Sequence, residues 1–258
     1  MKITSLLENT TAREDMLIEH GLSLYIETAE HKILFDMGQT DLFARNAETL
    51  GIDLCAVDTA IVSHGHYDHG GGLNKFLEIN TKAPVYLSRY AFEPHYNGTQ
   101  KYIGLDTDLQ ENDRLIYTGD ITAVDDGLTL YSCNENKRSY HLGSFGLNVA
   151  QEDRFVPDDF HHEQYLLIEE EDTRVLISGC SHKGIMDIVQ WFHPDVLVGG
   201  FHFSKLLLDE KLEGYAGVLN EYNTEYYTCH CTGEKQFAFM KKYMTRLHYL
   251  SCGQSIEL

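Results

Sequence analysis

The stretch TAIVSHGHYDHGGGL, residues 59–73, contains the pattern that decides the fold. Its first four residues are apolar or β-branched and favour a short buried strand, and the glycines after His69 favour a turn into a helix. Between them, SHGHYDH places three histidines and one aspartate within six positions. Imidazoles and carboxylates are ligands that Zn, Fe(II) and Mn accept in proteins. The stretch therefore predicts a metal site rather than a loop of solvated histidines.

The spacing within this run indicates how the ligands divide. Residues two positions apart in an extended chain point the same way, so we expect His64 and His66 to bind one ion together. The turn then directs Asp68 and His69 towards a neighbouring point, which suits a second ion. We predict all four residues as metal ligands and count Asp68 among the catalytic residues as well.

Composition limits the partners of the chain. Its 258 residues are enough for one large domain. The 20 Lys and Arg against 40 Asp and Glu give a formal net charge of −20, which argues against nucleic acid and membranes as partners but allows a small anionic substrate. We find no apolar run long enough to span a bilayer and no signal-peptide core. The six scattered cysteines favour reduced thiols, and hence a cytoplasmic location.

The order of predicted elements indicates a layered α/β protein. A hairpin, GLSLYIETAEHKILFDMG, precedes the metal run, and the last third alternates strands such as RVLISGC and DVLVGGF with helices such as KGIMDIVQWF. Strands that each end in a polar cluster before a helix place a site beyond the strand ends. With no linker evident, we predict one domain over residues 1–258, with an irregular substrate lid inserted around 88–112.

H-x-H-x-D-H between a strand and a helix resembles the metallo-β-lactamase superfamily, and ILFDMG resembles that family's strand followed by Asp and Gly. The resemblance implies an α/β fold of four layers, an αβ/βα sandwich, with metals at one edge of two facing sheets. The segments GCSH, GGFH, HCTG and EHGLSLYIET resemble one branch of the superfamily. That branch contains metal-dependent hydrolases related to the dihydropterin–ribofuranosylaminobenzene phosphate synthase of methanopterin biosynthesis.

The resemblance also implies ligands outside the first run. The family completes its centre with an intermediate His, an Asp that bridges both metals, and a final His. Here Cys180 replaces the bridging Asp, His182 follows it, and His230 takes the place of the final ligand. The intermediate His has no clear counterpart, and His161 and His162 are the nearest candidates. Whether Cys180 is a thiolate ligand or a small buried hydrophobe is left open.

Other candidate residues have weaker local signals. His202, in VLVGGFHFS, is predicted to protonate a leaving group, with metal binding as the alternative. Asp36 is predicted to orient a ligand histidine without binding the metal itself. His95, Tyr96 and Asn9 are predicted to contact substrate, with ordinary surface as the alternative.

Three functions fit these residues. The first is a hydrolase with one or two divalent metals, Zn before Fe or Mn, whose activated water attacks a phosphoester, a cyclic phosphodiester or a pterin-like phosphate. The second is a di-iron redox protein, which is disfavoured because the resembling iron branches carry an acidic residue at the position of His66. The third is a metal-held module that binds a pterin or nucleotide without catalysis. Apolar surface between the sheets would support a homodimer, which the sequence leaves undecided.

Overall fold

The computed structural model describes residues 1–258 and divides the chain into two compact units. Unit 1 comprises Met1–Gly119, Gly146–Gln164 and Ser251–Leu258, and unit 2 comprises Asp120–Phe145 and Tyr165–Leu250. None of its helices combines the length and apolar character needed to cross a membrane. The single domain predicted from the sequence stays a prediction.

The elements are numbered in chain order. The strands are β1 (Lys2–Leu7), β2 (Ser23–Glu27), β3 (Lys32–Phe35), β4 (Thr59–Ile61), β5 (Val85–Ser88), β6 (His95–Asn97), β7 (Lys101–Tyr102), β8 (Leu115–Thr118), β9 (Ile121–Asp125), β10 (Leu128–Tyr131), β11 (Leu147–Gln151), β12 (Arg154–Pro157), β13 (Tyr165–Glu170), β14 (Thr173–Ile177), β15 (Val196–Gly199), β16 (Glu225–Thr228), β17 (Leu247–Tyr249) and β18 (Ser255–Glu257). The α-helices are α1 (Leu42–Leu50), α2 (Tyr67–Gly70), α3 (Leu73–Ile79), α4 (Ile185–Phe192), α5 (Glu210–Asn220) and α6 (Glu234–Met240).

The main sheet of unit 1 has the order β18-β1-β2-β3-β4-β5-β8. β2 and β3 form the predicted antiparallel hairpin, with Leu24 opposite Phe35. From β3 onwards the neighbours β4, β5 and β8 are parallel, so their carboxyl ends lie at one edge of the sheet. Asp36, after β3, and the histidine run, after β4, are therefore neighbours.

Helices α1 and α3 cover the apolar side of this sheet. Phe43 of α1 and Phe76 of α3 are fully buried and share one cluster with Leu34 of β3. Burying each such side chain stabilises the fold by about 1.5–3 kcal/mol. Helix α1 ends at Gly51, whose φ of +70° allows its N–H to bond to the carbonyls of Ala47 and Glu48.

A smaller sheet of unit 1 contains part of the predicted insertion. Its order is β12-β11-β6-β7, and β6 pairs antiparallel with β11, so that His95 lies opposite Val149. The segment around 88–112 thus contains two short strands and a 3-10 turn at Thr107–Leu109. The pairing places His95 beside the chain that follows β12. A lid role for this segment stays a prediction.

Unit 2 has a second mixed sheet, in the order β17-β16-β15-β14-β13-β10-β9. β14 to β17 are parallel, while β13 pairs antiparallel with both β14 and β10. Helices α4, α5 and α6 pack on this sheet around fully buried Phe201, Leu212 and Tyr226. The carboxyl ends of β14, β15 and β16 meet at one edge, where the segments GCSH, GGFH and HCTG begin.

Candidate metal centre

The histidine run of unit 1 is buried as a whole. His64 and His69 have no exposed surface, and His66 and Asp68 are 4% and 9% exposed. The ring centroid of His64 lies 4.6 Å from that of His66 and 4.1 Å from that of His69. The turn that carries these rings runs close to the backbone of Ala91 at Gly65. A Cβ at Gly65 would lie 2.1 Å from the carbonyl oxygen of Ala91, so the turn needs glycine there.

Asp36 orients His69. Its Oδ2 lies 2.7 Å from His69 Nδ1, and both side chains are fully buried. Since the carboxylate only accepts hydrogen bonds, Nδ1 must carry the ring proton, which leaves Nε2 unprotonated and able to coordinate. Asp36 also accepts from the backbone N–H and the hydroxyl of Ser63 at 2.7 Å each. Asp36 thus fixes the orientation of the His69 ring, and its predicted role in supporting a metal ligand stays a prediction.

Ser63 orients His64 in the same way. Its hydroxyl proton goes to Asp36, so its oxygen accepts from His64 Nδ1 at 2.8 Å. His64 is therefore also held with Nε2 unprotonated. His69 Nε2 lies 3.8 Å from Asp68 Oδ2, a separation compatible with two ligands on one ion whose bonds are each about 2.0–2.2 Å long. These donor groups fit a divalent transition metal.

His66 faces a second buried carboxylate, Asp158. The Oδ2 atom of Asp158 lies 3.8 Å from His66 Nε2, 3.1 Å from His95 Nδ1 and 3.2 Å from His162 Nε2. Burial alone would raise the pKa of Asp158, but the charge and hydrogen bond of His162, with those of His66 and His95, outweigh it and hold the pKa well below its usual range. Burial also lowers the pKa of His66. The cluster therefore keeps the carboxylate of Asp158 charged beside the neutral imidazole of His66.

The hydrogen bonds of His162 indicate a structural role. Its Nδ1 accepts the backbone N–H of Gly65 at 2.8 Å, so the proton of the neutral ring lies on Nε2 and is donated to Asp158. A ring with both nitrogens engaged in this way offers no lone pair to a metal. His162 instead ties the histidine turn to Asp158. The side chain of the other candidate, His161, is 46% exposed, and its Nδ1 lies 3.2 Å from Asp159 Oδ2.

The three residues predicted to contact substrate lie in different surroundings. Asn9 Nδ2 is 3.3 Å from His20 Nδ1, and His20 Nε2 is 3.2 Å from Asp68 Oδ2. Asn9 is therefore connected to the ligand run through His20. His95 is fully buried in the Asp158 cluster. The half-buried ring of Tyr96 packs among the other aromatic rings of the small sheet. Contact with substrate stays a prediction for all three residues.

In unit 2, polar residues follow three adjacent parallel strands. Cys180 and His182 follow β14, His202 follows β15, and His230 and Cys231 follow β16. All are buried except His202, which is partly exposed. The rings of His182 and His202 have centroids 4.2 Å apart. Burial alone would raise the pKa of the Cys231 thiol, but hydrogen bonds with Cys180 and His202 and the charges of His230 and His202 hold it well below its usual range.

Several of these turns use strained backbone. Asp36 in unit 1 has φ of 61°, and Ser181, His202 and His230 in unit 2 have φ of 58°, 55° and 48°. A residue other than glycine held in this left-handed region costs about 1–3 kcal/mol, and such residues cluster at functional sites. The strain supports a functional use for both strand edges.

Sequence reasoning missed three residues of these clusters. His20 has no local pattern that separates it from a surface histidine, and Asp158 is one of many acidic residues. Asp158 reaches the histidines through the pairing of β6, β11 and β12, which local periodicity does not specify. Cys231 had a usable signal, since it lies next to His230 in the HCTG segment.

Comparison with known families agrees with this geometry. The family model described as the metallo-beta-lactamase superfamily matches residues 18–217. The chain belongs to this superfamily, whose members typically bind one or two divalent metals. The fold class and the resemblance predicted from the sequence are confirmed.

Particular relatives place the chain more closely. Two proteins of Methanocaldococcus jannaschii are similar to it. The uncharacterized protein MJ0448 is 28% identical over 244 residues, which are 89% of this chain and 90% of the relative. The 7,8-dihydropterin-6-methyl-4-(beta-D-ribofuranosyl)-aminobenzene-5'-phosphate synthase is 26% identical over 268 residues, 93% and 90% of the two chains. Among solved structures, Tm1679, a metal-dependent hydrolase of the beta-lactamase superfamily, has a TM-score of 0.84 and 30% identity, covering 100% of this chain and 99% of its own.

Proposed function

We propose that this protein is a metal-dependent hydrolase that cleaves a small anionic ester. The observation that carries the proposal is the buried network of Asp36 and Ser63, which leaves the coordinating nitrogens of His64 and His69 unprotonated. A surface loop of histidines would not need two rings locked in this tautomer. The similarity to Tm1679, a metal-dependent hydrolase, supports the same reading.

The proposed ligands in unit 1 are His64, His66, Asp68 and His69. The resemblance adds His182 and His230, with Cys180 in place of a bridging aspartate. Imidazole and carboxylate donors suit Zn, with Fe or Mn as alternatives. A bound divalent metal would lower the pKa of water to about 7, so that hydroxide is available at neutral pH.

Residues around the metal would prepare the ligands and the leaving group. Asp36 and Ser63 orient imidazoles, and Asp158 keeps a negative charge 3.8 Å from His66 Nε2. His202 has two proposed roles, to protonate the leaving group or to bind metal. Its Nδ1 is buried without a hydrogen-bond partner.

The proposed substrates are a phosphoester, a cyclic phosphodiester or a pterin-like phosphate. The pterin phosphate in the name of the relative supports the last of these. The net charge of −20 supports a small substrate over nucleic acid or a membrane surface. We also propose a cytoplasmic location, on the ground that the six cysteines form no disulfide, and we leave a homodimer to measurement.

The test combines metal analysis with a substrate screen. Purified protein is analysed for bound metals and assayed with phosphomonoesters, cyclic nucleotides and reduced pterin phosphates. The double variant His66→Ala/Asp68→Ala should keep its fold and lose both metal and turnover, while His141→Ala, at an exposed histidine, should keep both. Hydrolysis by metal-free protein would contradict the proposal.

The other two functions appear as distinct results of the same test. Iron with a visible absorption band that bleaches on reduction would indicate the di-iron redox protein. Tight binding of a pterin or nucleotide without product would indicate the non-catalytic module.

A further inference from the structure

Two sulfurs and one imidazole form a compact cluster within unit 2. Cys180, His202 and Cys231 each offer one ligand atom, and these atoms lie within 4.8 Å of one another. Cys180 and Cys231 are only 3% and 5% exposed. We propose that the three residues form a thiolate metal site for a cation of the zinc class. In this site Cys180 binds the metal together with Cys231 and does not take the bridging position that the resemblance implies.

The topology of the sheet brings the three residues together. β14, β15 and β16 are adjacent and parallel, with Ile177 paired to Val198 and Gly199 paired to Thr228. Cys180, His202 and Cys231 each lie three residues after the end of their strand. Three equivalent positions on neighbouring parallel strands reach the same edge at nearly the same height. The cluster therefore follows from the register of the sheet.

Gly200 makes room for the sulfur of Cys231, and Gly199 allows β15 to run close to the chain that follows β14. A Cβ at Gly200 would lie 2.4 Å from Cys231 Sγ, so any side chain there would displace the thiol. A Cβ at Gly199 would lie 1.9 Å from the carbonyl oxygen of Ser178, so the chain between β14 and Cys180 runs close against β15. The backbone N–H of Gly200 also donates to Gly179 at 2.9 Å. These contacts hold the loops after β14 and β15 side by side.

The surroundings of the sulfur suit a thiolate. The backbone N–H of His202 donates to Cys231 Sγ at 3.2 Å, a contact that stabilises negative charge on sulfur in metal sites. The left-handed backbone of His202, with φ of 55°, is part of this turn. Thr232 Oγ1 accepts the N–H of Phe201 at 2.8 Å and so ties the loop of His202 to that of Cys231.

His202 supplies the third donor. Its Nδ1 is buried and makes no hydrogen bond, an arrangement that is costly for a ring nitrogen unless another group engages it. A ring nitrogen of His202 lies within 4.8 Å of both sulfurs, so a metal ion bound by the two thiolates can also bind this ring. Its ring also packs edge-on against Phe145, with centroids 5.1 Å apart, which restricts its orientation.

The donor chemistry defines the cation class. Two thiolates and one imidazole form a three-ligand set of the kind that zinc accepts, with Zn–S bonds of about 2.3 Å and a fourth position left for water or another donor. Two sulfurs on one ion then lie about 3.8 Å apart. This separation is within the 4.8 Å that bounds the distances between the three ligand atoms. On binding, each thiol releases its proton to solvent and becomes a thiolate.

The test is a cobalt titration of the metal-free full chain under a thiol-free reductant. Cobalt in such a site should give the near-ultraviolet charge-transfer absorption of a thiolate complex. Cys180→Ser and Cys231→Ser should each lose about half of the intensity, and His202→Asn should weaken cobalt affinity at least about tenfold. Cys229→Ala, at a buried cysteine outside the cluster, should keep the full band. Circular dichroism verifies the fold of each variant.

A second measurement separates this site from the proposed ligands of unit 1 and does not depend on a cysteine variant folding. The double variant His66→Ala/Asp68→Ala is loaded with zinc, and its sulfur ligands are counted by X-ray absorption. Two sulfurs per bound zinc support the thiolate site even if no hydrolysis is ever found. A cobalt band that is absent from the wild type, or unchanged in Cys231→Ser, would overturn the inference, as would zinc without two sulfur neighbours.

Discussion

Asp36 Oδ2 lies 2.7 Å from Nδ1 of His69, and neither side chain has any exposed surface. The pair joins a residue after β3 to a residue on the turn after β4, two parallel neighbours in unit 1. A buried carboxylate of this kind is costly unless hydrogen bonds compensate it, and here three do so. The arrangement makes sense as the support of a ligand, because it determines which nitrogen of His69 is unprotonated.

The first prediction concerns this carboxylate. Asp36→Asn removes the charge and places an amide beside Ser63 and His69, so that at least one of the three hydrogen bonds is lost. We expect metal affinity to fall about 10- to 100-fold, because the orienting partner of a ligand histidine has effects of this size. Isothermal titration calorimetry with Zn measures the change. Asp58→Asn, which alters the partly exposed partner of His31, serves as the control and should bind Zn like the wild type.

The second prediction tests the hydroxyl between Asp36 and His64. Ser63→Ala removes the acceptor of His64 Nδ1 while leaving the backbone N–H bond to Asp36. We expect metal affinity to fall about tenfold. This loss should be no larger than the loss in Asp36→Asn. Ser5→Ala is the matched control, because Ser5 is also fully buried and its hydroxyl has no hydrogen-bond partner. Equal affinities for the two serine variants would contradict the role of Ser63.

The third prediction is a pH dependence of the metal-free protein. Burial holds the pKa of His66 below, and that of His162 well below, the ordinary value of 6.5. The unfolded chain therefore takes up more protons than the folded chain as the pH falls through about 6.5, and the free energy of unfolding should decrease. Asp158 acts in the same direction at lower pH, because its folded pKa lies below the ordinary 3.8.

Urea unfolding between about pH 8 and about pH 5 measures this dependence. The variant His162→Gln should show a shallower loss of stability than the wild type, whatever its stability at neutral pH. A loss of stability in His162→Gln as steep as that of the wild type would contradict the low pKa of His162 in the folded state.

The fourth prediction concerns the tight turn at Gly65. Gly65→Ala places a methyl group 2.1 Å from the carbonyl oxygen of Ala91, which is backbone and cannot move aside easily. We expect a loss of stability of about 1–3 kcal/mol together with weaker metal binding, since the turn carries His64 and His66. Gly214→Ala is the matched change: a Cβ there meets nothing within 4 Å, and the residue lies within α5. That variant should be more stable by up to about 1 kcal/mol.

Much of the first ligand run could be predicted from sequence, because its information is local. The alternation of an extended chain predicted His64 and His66 on one side, and the glycines that follow predicted the turn that carries Asp68 and His69. Metal binding by these four residues stays a prediction. The position of Asp36 after a predicted strand was equally informative, since parallel strands place their ends together. The family and fold class followed from these residues and are confirmed by the match over residues 18–217.

Only the tertiary structure showed which partners these side chains have. Asp158 reaches His66 through strands far along the chain, and Cys231 lies beside Cys180 because β14, β15 and β16 stack in register. In His64, His69 and His162, the ring nitrogen that carries the proton likewise depends on hydrogen bonds to residues that neighbouring strands and loops supply. Local spacing determines where a side chain points within its own strand or turn. Which group it meets depends on strand pairing, and many pairings are compatible with the same local pattern.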